Sequence, residues 1–301
     1  MNRRVLLLEP NYRNKYPPMG LMKLAMYHRL QGDNVVFYKG DLTRFVLSEI
    51  TNDALNKFIE LDGEYDWRRL TPDISSFLLS VLLTPDSVLE KESERPFILK
   101  WLKHYRNHVR TGQYYKTPRW DRVCVTTLFT FHWNITIQTI EFAKRVVKNE
   151  SEVLVGGILA TAVPDALEKS TGVKPFRGII REKQLLNDNP VDCPIDELPL
   201  DYSILDEIDY RFPASAAYYA YTTRGCVNKC SFCAVPILEP EYTPYIPLQK
   251  WIDYISERFG EQRHLLLLDN NVFASDKFDT IIDEIHDAGF GKGATFVPPN
   301  P

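Results

Sequence analysis

The chain has 301 residues, 44% of them hydrophobic and 25% charged, which suffices for two ordinary domains and sits near the soluble globular average. A formal net charge of -4 and a pI near 5.9 argue against a protein built to coat nucleic acid. There is no run of about 18 apolar residues to span a membrane, and the apolar run after Arg3-Arg4 stops at Glu9-Pro10, so it reads as a strand rather than a signal sequence.

In chain order, Val5–Glu9 reads as a buried strand, Gly20–Leu30 as a helix stopped by Gly32, and Val35–Tyr38 as a second strand. Strand, helix, strand at this spacing is a βαβ unit with parallel strands. The alternation then breaks. From about 42 to 120 the pattern is mostly helical, with Phe45, Leu47, Ile50, Leu55 and Phe58, then Phe77, Leu78, Val81 and Leu82, at helical spacing. This segment reads as a helical insertion. Its end, Lys100 to Arg110, is basic and aromatic, either an amphipathic helix with a solvated face or a phosphate-facing surface.

The α/β rhythm resumes with a strand at Val123–Leu128, a helix at Asn134–Val147, a strand at Glu152–Val155 followed by Gly156-Gly157, and a short helix at Pro164–Lys169. Ligands of such open parallel sheets bind at the carboxyl ends of the strands. Residues 183–213, rich in Pro, Asp and Asn, read as a linker or an extended crossing segment. A third region follows: a strand at Ala217–Thr222, a helix at Leu248–Phe259, a strand at His264–Leu268, a helix at Asp276–Ala288 and a strand starting near Ala294. That order opens a parallel α/β barrel or another open sheet.

Three of the five cysteines, Cys226, Cys230 and Cys233, lie within eight residues at C-x3-C-x2-C spacing. An odd total crowded in this way makes a poor disulfide framework and suits a metal site in a reducing cytoplasm. Soft thiolates suit zinc or an iron–sulfur cluster. Closed zinc sites need a fourth ligand, and no second cysteine pair exists; Cys193 lies in the Pro-rich segment and Cys124 in a strand. Three inert core cysteines fit poorly with the polar neighbours Asn228, Lys229 and Ser231.

The loop resembles the signature of the radical S-adenosylmethionine superfamily, C-x3-C-x-Φ-C, with Phe232 as the aromatic residue, and it follows a predicted strand as that signature does. The resemblance implies a [4Fe–4S] cluster on Cys226, Cys230 and Cys233, whose open iron is chelated by S-adenosylmethionine. It also implies reductive cleavage to a 5′-deoxyadenosyl radical, hydrogen abstraction from a substrate the sequence does not identify, and an electron donor such as flavodoxin or ferredoxin. In the family, the end of the second barrel strand contacts the cosubstrate amine, often through Gly-Gly-Glu. That motif is absent; Asp269 or Asn270 would take its place, or would form a turn and cap before the next helix.

Pro10-Asn11, Pro17-Pro18-Met19-Gly20-Leu21, Gly32-Asp33-Asn34-Val35 and Asp196-Glu197-Leu198-Pro199 resemble the subgroup with an amino-terminal cobalamin-binding type of domain. The Asp-x-His-x-x-Gly cobalt-ligand motif is missing. Thr126-Thr127-Leu128 with Gly156 and Gly157 would line a nucleotide tail if cobalamin binds, and otherwise the glycines form a tight turn; His132 is treated as structural. The expected fold is α/β, a Rossmann-like open parallel sheet with a helical insertion, followed by the first part of a partial (β/α) radical S-adenosylmethionine barrel. The expected domains are 1–182, a linker at 183–213 and a barrel start at 214–301. A family core of six βα units would require further strands, so the chain is expected to lack a carboxyl-terminal part. The rival expectation is a non-catalytic iron–sulfur or zinc protein with a structural or sensing role.

Overall fold

The computed structural model describes residues 2–80, 95–214 and 216–291. Val81, Leu82 and the strand expected near Ala294 lie outside them. The chain divides into two compact units, one of residues 1–39 with 120–301 and one of Gly40–Arg119. Each is described by itself.

The first unit is built on four parallel strands: β1 (Arg4–Glu9), β2 (Asn34–Lys39), β3 (Arg122–Thr127) and β4 (Val153–Gly157), in the order β2-β1-β3-β4. Val5, Leu6, Leu7 and Leu8 are fully buried, which is why β1 is a continuous apolar run and not an alternating one. Helix α1 (Met19–Leu30) connects β1 to β2 and buries Leu21, Met22, Ala25 and Met26. It ends where Gly32 takes φ +78° and Asp33 N donates to His28 O, so the chain reverses directly into β2. The chain leaves β1 towards β2 on one side, while β3 lies on the other. The sheet therefore has its topological switch point between β1 and β3.

The second unit holds α2 (Leu42–Leu61), α3 (Thr71–Leu79), α4 (Phe97–Thr111) and the short α5 (Gln113–Lys116). Its core is aromatic, with Phe58, Trp67 and Phe77 buried, and Trp67 Nε1 donates to Asp62 O at 2.7 Å. The basic, aromatic α4 buries only Ile98 and Leu102. This is the amphipathic arrangement, and Arg106 packs over the Phe77 ring at 4.4 Å.

Back in the first unit, α6 (Trp133–Val146) joins β3 to β4, and two short helices, α7 (Ile158–Ala162) and α8 (Pro164–Thr171), follow. The sequence pattern contains α8 but not α7, which is too short to show a period.

Residues 172–213 form no strand or α-helix, only 3-10 turns at Ile195–Glu197 and Tyr202–Glu207, yet they are no free linker. Leu185, Ile195, Ile204 and Phe212 are 3% exposed or less and belong to the same core as β1 and α1. Glu207 Oε2 accepts the Phe37 amide of β2 at 2.7 Å, which occupies part of that edge strand. Tyr202 donates to Ala217 O at 2.9 Å and accepts Tyr219 N at 3.1 Å. The segment thus ties the four-stranded sheet to a second, two-stranded one.

That second sheet pairs β5 (Ala217–Ala220) with β6 (His264–Leu267) in parallel. Between the two strands come the cysteine loop, the short α9 (Val235–Leu238) and α10 (Gln249–Phe259); α11 (Phe278–Asp287) follows β6. The leucines of β6 read as a strand buried on both faces, but they are half-buried. Among the described residues β6 has a pairing partner on one side only.

Candidate functional site

The cysteine loop leaves the carboxyl end of β5 and is fixed at its root before the first cysteine. Thr222 and Thr223 each give a backbone N–H and a hydroxyl to the Asp269 carboxylate, with Thr222 N at 3.0 Å and the two hydroxyls at 2.9 and 2.6 Å. Both threonines are fully buried. Asp269 therefore fastens the end of β6 to the end of β5, mainly through Oδ1, while Oδ2 takes only the Thr222 amide at 3.2 Å.

Arg224 and Thr243 exchange two backbone hydrogen bonds, 3.1 and 2.9 Å. Arg224 Nη2 pairs with Glu239 Oε1 at 2.9 Å, and the other oxygen of Glu239 accepts Gly225 N at 2.7 Å and Asn270 Nδ2 at 2.9 Å. Asn270 is exposed and turned to Glu239. Gly225 has φ +70°, and a Cβ there would lie 2.3 Å from Glu241 O and 3.0 Å from Glu239 O. Only glycine fits, for conformation and for space.

Cys226 and Cys233 are half-buried, Cys230 is exposed, and all three are free thiols. Cys226 Sγ accepts two N–H donors at 3.4 Å, from Asn228 N and from Asn271 Nδ2. Cys233 N donates to Cys230 O at 3.1 Å, closing a turn that keeps the second and third thiols close in the chain. Phe232 is 92% exposed. Among the described residues, no three His, Cys, Asp or Glu side chains converge at metal-binding distance. The donor chemistry suits a soft metal all the same: three accessible thiols on one polar turn, with N–H groups aimed at a sulfur. Cys124 is buried in β3 and its thiol is pushed up to about 12 by burial, which sets it apart as an inert core residue. Burial also raises the Cys193 thiol.

A cavity of about 390 Å³ opens at the switch point of the four-stranded sheet. Glu9 of β1, Thr126 and Thr127 of β3, and Gly156 and Gly157 at the end of β4 line it, and its wall continues to Tyr221 and Arg224 at the root of the cysteine loop. The two glycines differ in their reasons. Gly157 has φ +105° and approaches the Thr127 backbone so closely that a Cβ would sit 2.3 Å from its carbonyl oxygen. Gly156 has only ordinary room around it, with the nearest atom to a Cβ being Phe176 Cβ at 4.0 Å. Thr127 Oγ1 donates to Gly156 O and accepts Ala160 N, both at 2.9 Å, which locks the β4–α7 turn against β3.

No histidine lines this cavity. His132 stacks on Tyr12 with ring centroids 4.4 Å apart. Polar residues of the cavity that escape sequence reasoning include Glu9, Asn14 and Lys23. Glu9 is 2% exposed, and burial pushes its carboxyl up to about 7 against the pull of Lys39. The available signal was a charged residue closing an otherwise apolar strand at the end where ligands gather. Glu239 also escapes sequence reasoning, whereas Asn271 stands in the Asp269-Asn270-Asn271 run that the sequence places at the end of the second strand. Glu239 reaches the cysteine loop from a later turn of the chain, and nothing in its local sequence marks it.

The sequence matches no family model and no curated protein. Among solved structures it is similar to a radical S-adenosylmethionine methyltransferase, TsrM from Kitasatospora setae, with cobalamin and a [4Fe-4S] cluster bound, at 15% identity and a TM-score of 0.48. It is also similar to the same enzyme with tryptophan substrate and the S-adenosylmethionine analogue aza-SAM bound, at 14% identity and a TM-score of 0.48. These alignments cover 96% and 95% of this chain and 51% of the other in both cases, so the chain spans about half the length of those proteins.

Proposed function

We propose that the protein is a radical S-adenosylmethionine enzyme. The observation that carries this reading is the C-x3-C-x2-C loop of free thiols leaving the carboxyl end of a parallel strand, with Phe232 beside the last cysteine. Cys226, Cys230 and Cys233 would hold a [4Fe–4S] cluster. Three thiolates leave one iron for S-adenosylmethionine, and such a cluster supplies the electron that breaks a sulfonium carbon–sulfur bond.

The chain's own residues prepare that site. Asn271 and the Asn228 amide steady the Cys226 sulfur, and N–H donors to a cluster sulfur tune its potential. Glu239 and Arg224 hold the loop root, and Asp269 holds the two strand ends at one level. A flavodoxin- or ferredoxin-type protein would deliver the electron to the exposed side of the loop, where Cys230 and Phe232 lie. Asn270, at the end of β6 and close to the loop root through Glu239, remains the candidate contact for the cosubstrate amine. Asp269 serves as its anchor.

The switch-point cavity would take a second, organic cofactor. Cobalamin is the candidate from the sequence resemblance, and its class of reaction would be methyl transfer to carbon. With no histidine in the lining, the cobalt would bind without an imidazole from this cavity.

Anaerobic reconstitution with iron and sulfide tests the cluster. About four irons per chain are expected, lost on changing Cys226, Cys230 or Cys233 to Ala and kept in Cys124→Ala and Cys193→Ala. Tightly held zinc, or metal lost equally on Cys193→Ala, would favour a structural four-ligand site.

A further inference from the structure

Four charged side chains of alternating sign run from the four-stranded sheet to the cysteine loop. Lys23 stands on α1, Asp196 in the 3-10 turn at Ile195–Glu197, Arg224 two residues before Cys226, and Glu239 just after α9. Lys23 Nζ pairs with Asp196 Oδ1 at 2.9 Å and also donates to the Asp196 backbone carbonyl. The same carboxylate oxygen lies 3.6 Å from Arg224 Nη1, and Arg224 Nη2 pairs with Glu239 Oε1 at 2.9 Å. Glu239 Oε2 then accepts the amide of Gly225, the residue next to Cys226, at 2.7 Å. The Arg224 guanidinium also lies over the Tyr221 ring, 4.1 Å from its centroid.

These four side chains are between 13% and 26% exposed. At that depth water and salt screen a charge only in part. A buried ion pair adds little net stability over apolar side chains of similar volume. Packing therefore gives no reason for a row of charges to connect α1 with the loop root. Charge itself gives one. An iron–sulfur cluster becomes more negative when it is reduced, and its potential follows the net charge around it. A negative group nearby lowers that potential and a positive group raises it. Lys23 and Arg224 cancel Asp196 and Glu239, so the row as a whole is neutral. Removing any one member unbalances it.

We propose that Lys23 and Asp196 are positioning residues for the cluster, acting through Arg224 and Glu239 to balance the charge at the loop root and so to set the potential at which the cluster accepts an electron. Asp196 holds one side of the Arg224 guanidinium and Glu239 the other. Lys23 offsets the Asp196 charge from the far end of the row. The inference rests on the reading of Cys226, Cys230 and Cys233 as cluster ligands. It extends that site to α1 and to the crossing segment, neither of which supplies a thiol to it.

A redox titration of the anaerobically reconstituted full chain, followed by electron paramagnetic resonance, tests it without turnover. Asp196→Asn removes a negative charge at nearly constant shape and shifts the midpoint potential up. Lys23→Met keeps the length of the side chain, removes a positive charge and shifts the potential down. The double variant, neutral again, returns towards the parent. All three keep the parent's secondary structure by circular dichroism and hold about four irons per chain. Opposite signs are the mark of a charge effect, because a loosened loop would move both single variants the same way. Shifts of one sign, no shift in either variant, or a double variant no closer to the parent than the single ones would overturn the inference and leave the cluster reading standing. Loss of iron or of secondary structure from either single variant would do the same, making the row a structural strut. A parent protein that takes up no cluster would overturn both.

Discussion

At Glu9 a carboxyl group closes a fully buried strand, and its surroundings fix how it responds to pH. Burial raises its pKa from 4.5 to about 7, more than Lys39 and Asn14 lower it. The folded state therefore holds this proton more tightly than the unfolded chain. That contribution to stability is complete below about 4.5 and is lost as the pH climbs to about 7. Glu9→Gln, which stays neutral, should gain on the parent protein across this window and level off above it. Chemical denaturation at several pH values measures this, and a constant difference would contradict a raised carboxyl. Gly225 gives a second residue-scale prediction. Gly225→Ala must place a Cβ 2.3 Å from Glu241 O at φ +70°, so the loop root has to move. The variant should keep the secondary structure of the parent by circular dichroism and lose most of its reconstituted iron. Full iron retention would show that the root does not position the thiols.

At the scale of elements, the sheet is tied together by charges as well as by apolar packing. Arg122 of β3 is 1% exposed and pairs with Glu152 at 2.7 Å and with Asp188 at 2.5 Å, and Asp188 also accepts from Arg3 and from Tyr27 OH at 3.0 Å. Removing one partner of a buried pair leaves an uncompensated charge. Asp188→Ala should cost about 3–5 kcal/mol by denaturant titration, and a loss below about 1 kcal/mol would mean that the network is dispensable. The guanidinium and phenol partners also hold the Asp188 carboxyl below its usual range. Its contribution is therefore present at neutral pH and is lost as the pH falls below the ordinary aspartate value of 3.8. The variant's deficit should shrink under those acidic conditions.

The same elements explain what the sequence discloses and what it hides. Val5–Glu9, Val123–Leu128 and Glu152–Val155 are legible because a strand buried on both faces must be an apolar run. The cysteine loop is legible because thiolate spacing is local chemistry. The crossing segment at 172–213 is harder: its prolines and aspartates mark the lack of regular structure, while Leu185, Ile195 and Ile204 are core residues with no period to announce them. The leucines of β6 suggest full burial, but burial depends on neighbouring strands. The Glu239 clamp and the Asn271 contact to Cys226 depend on residues brought together from distant parts of the chain. No one-dimensional pattern carries them.

For the whole molecule, the carboxyl ends of the two parallel sheets carry the two candidate sites. One bears the thiol loop. The other bears a cavity whose wall runs to Arg224, the residue two before Cys226. A single core joins the two sheets through the crossing segment, so the cavity and the loop belong to one folded body. The most direct test is the formation of 5′-deoxyadenosine from S-adenosylmethionine by the anaerobically reconstituted chain under a low-potential reductant. The account predicts 5′-deoxyadenosine and methionine in equal amounts from the parent protein and neither above background from Cys230→Ala. A fully loaded cluster that yields no 5′-deoxyadenosine, or equal yields from parent and Cys230→Ala, would contradict it.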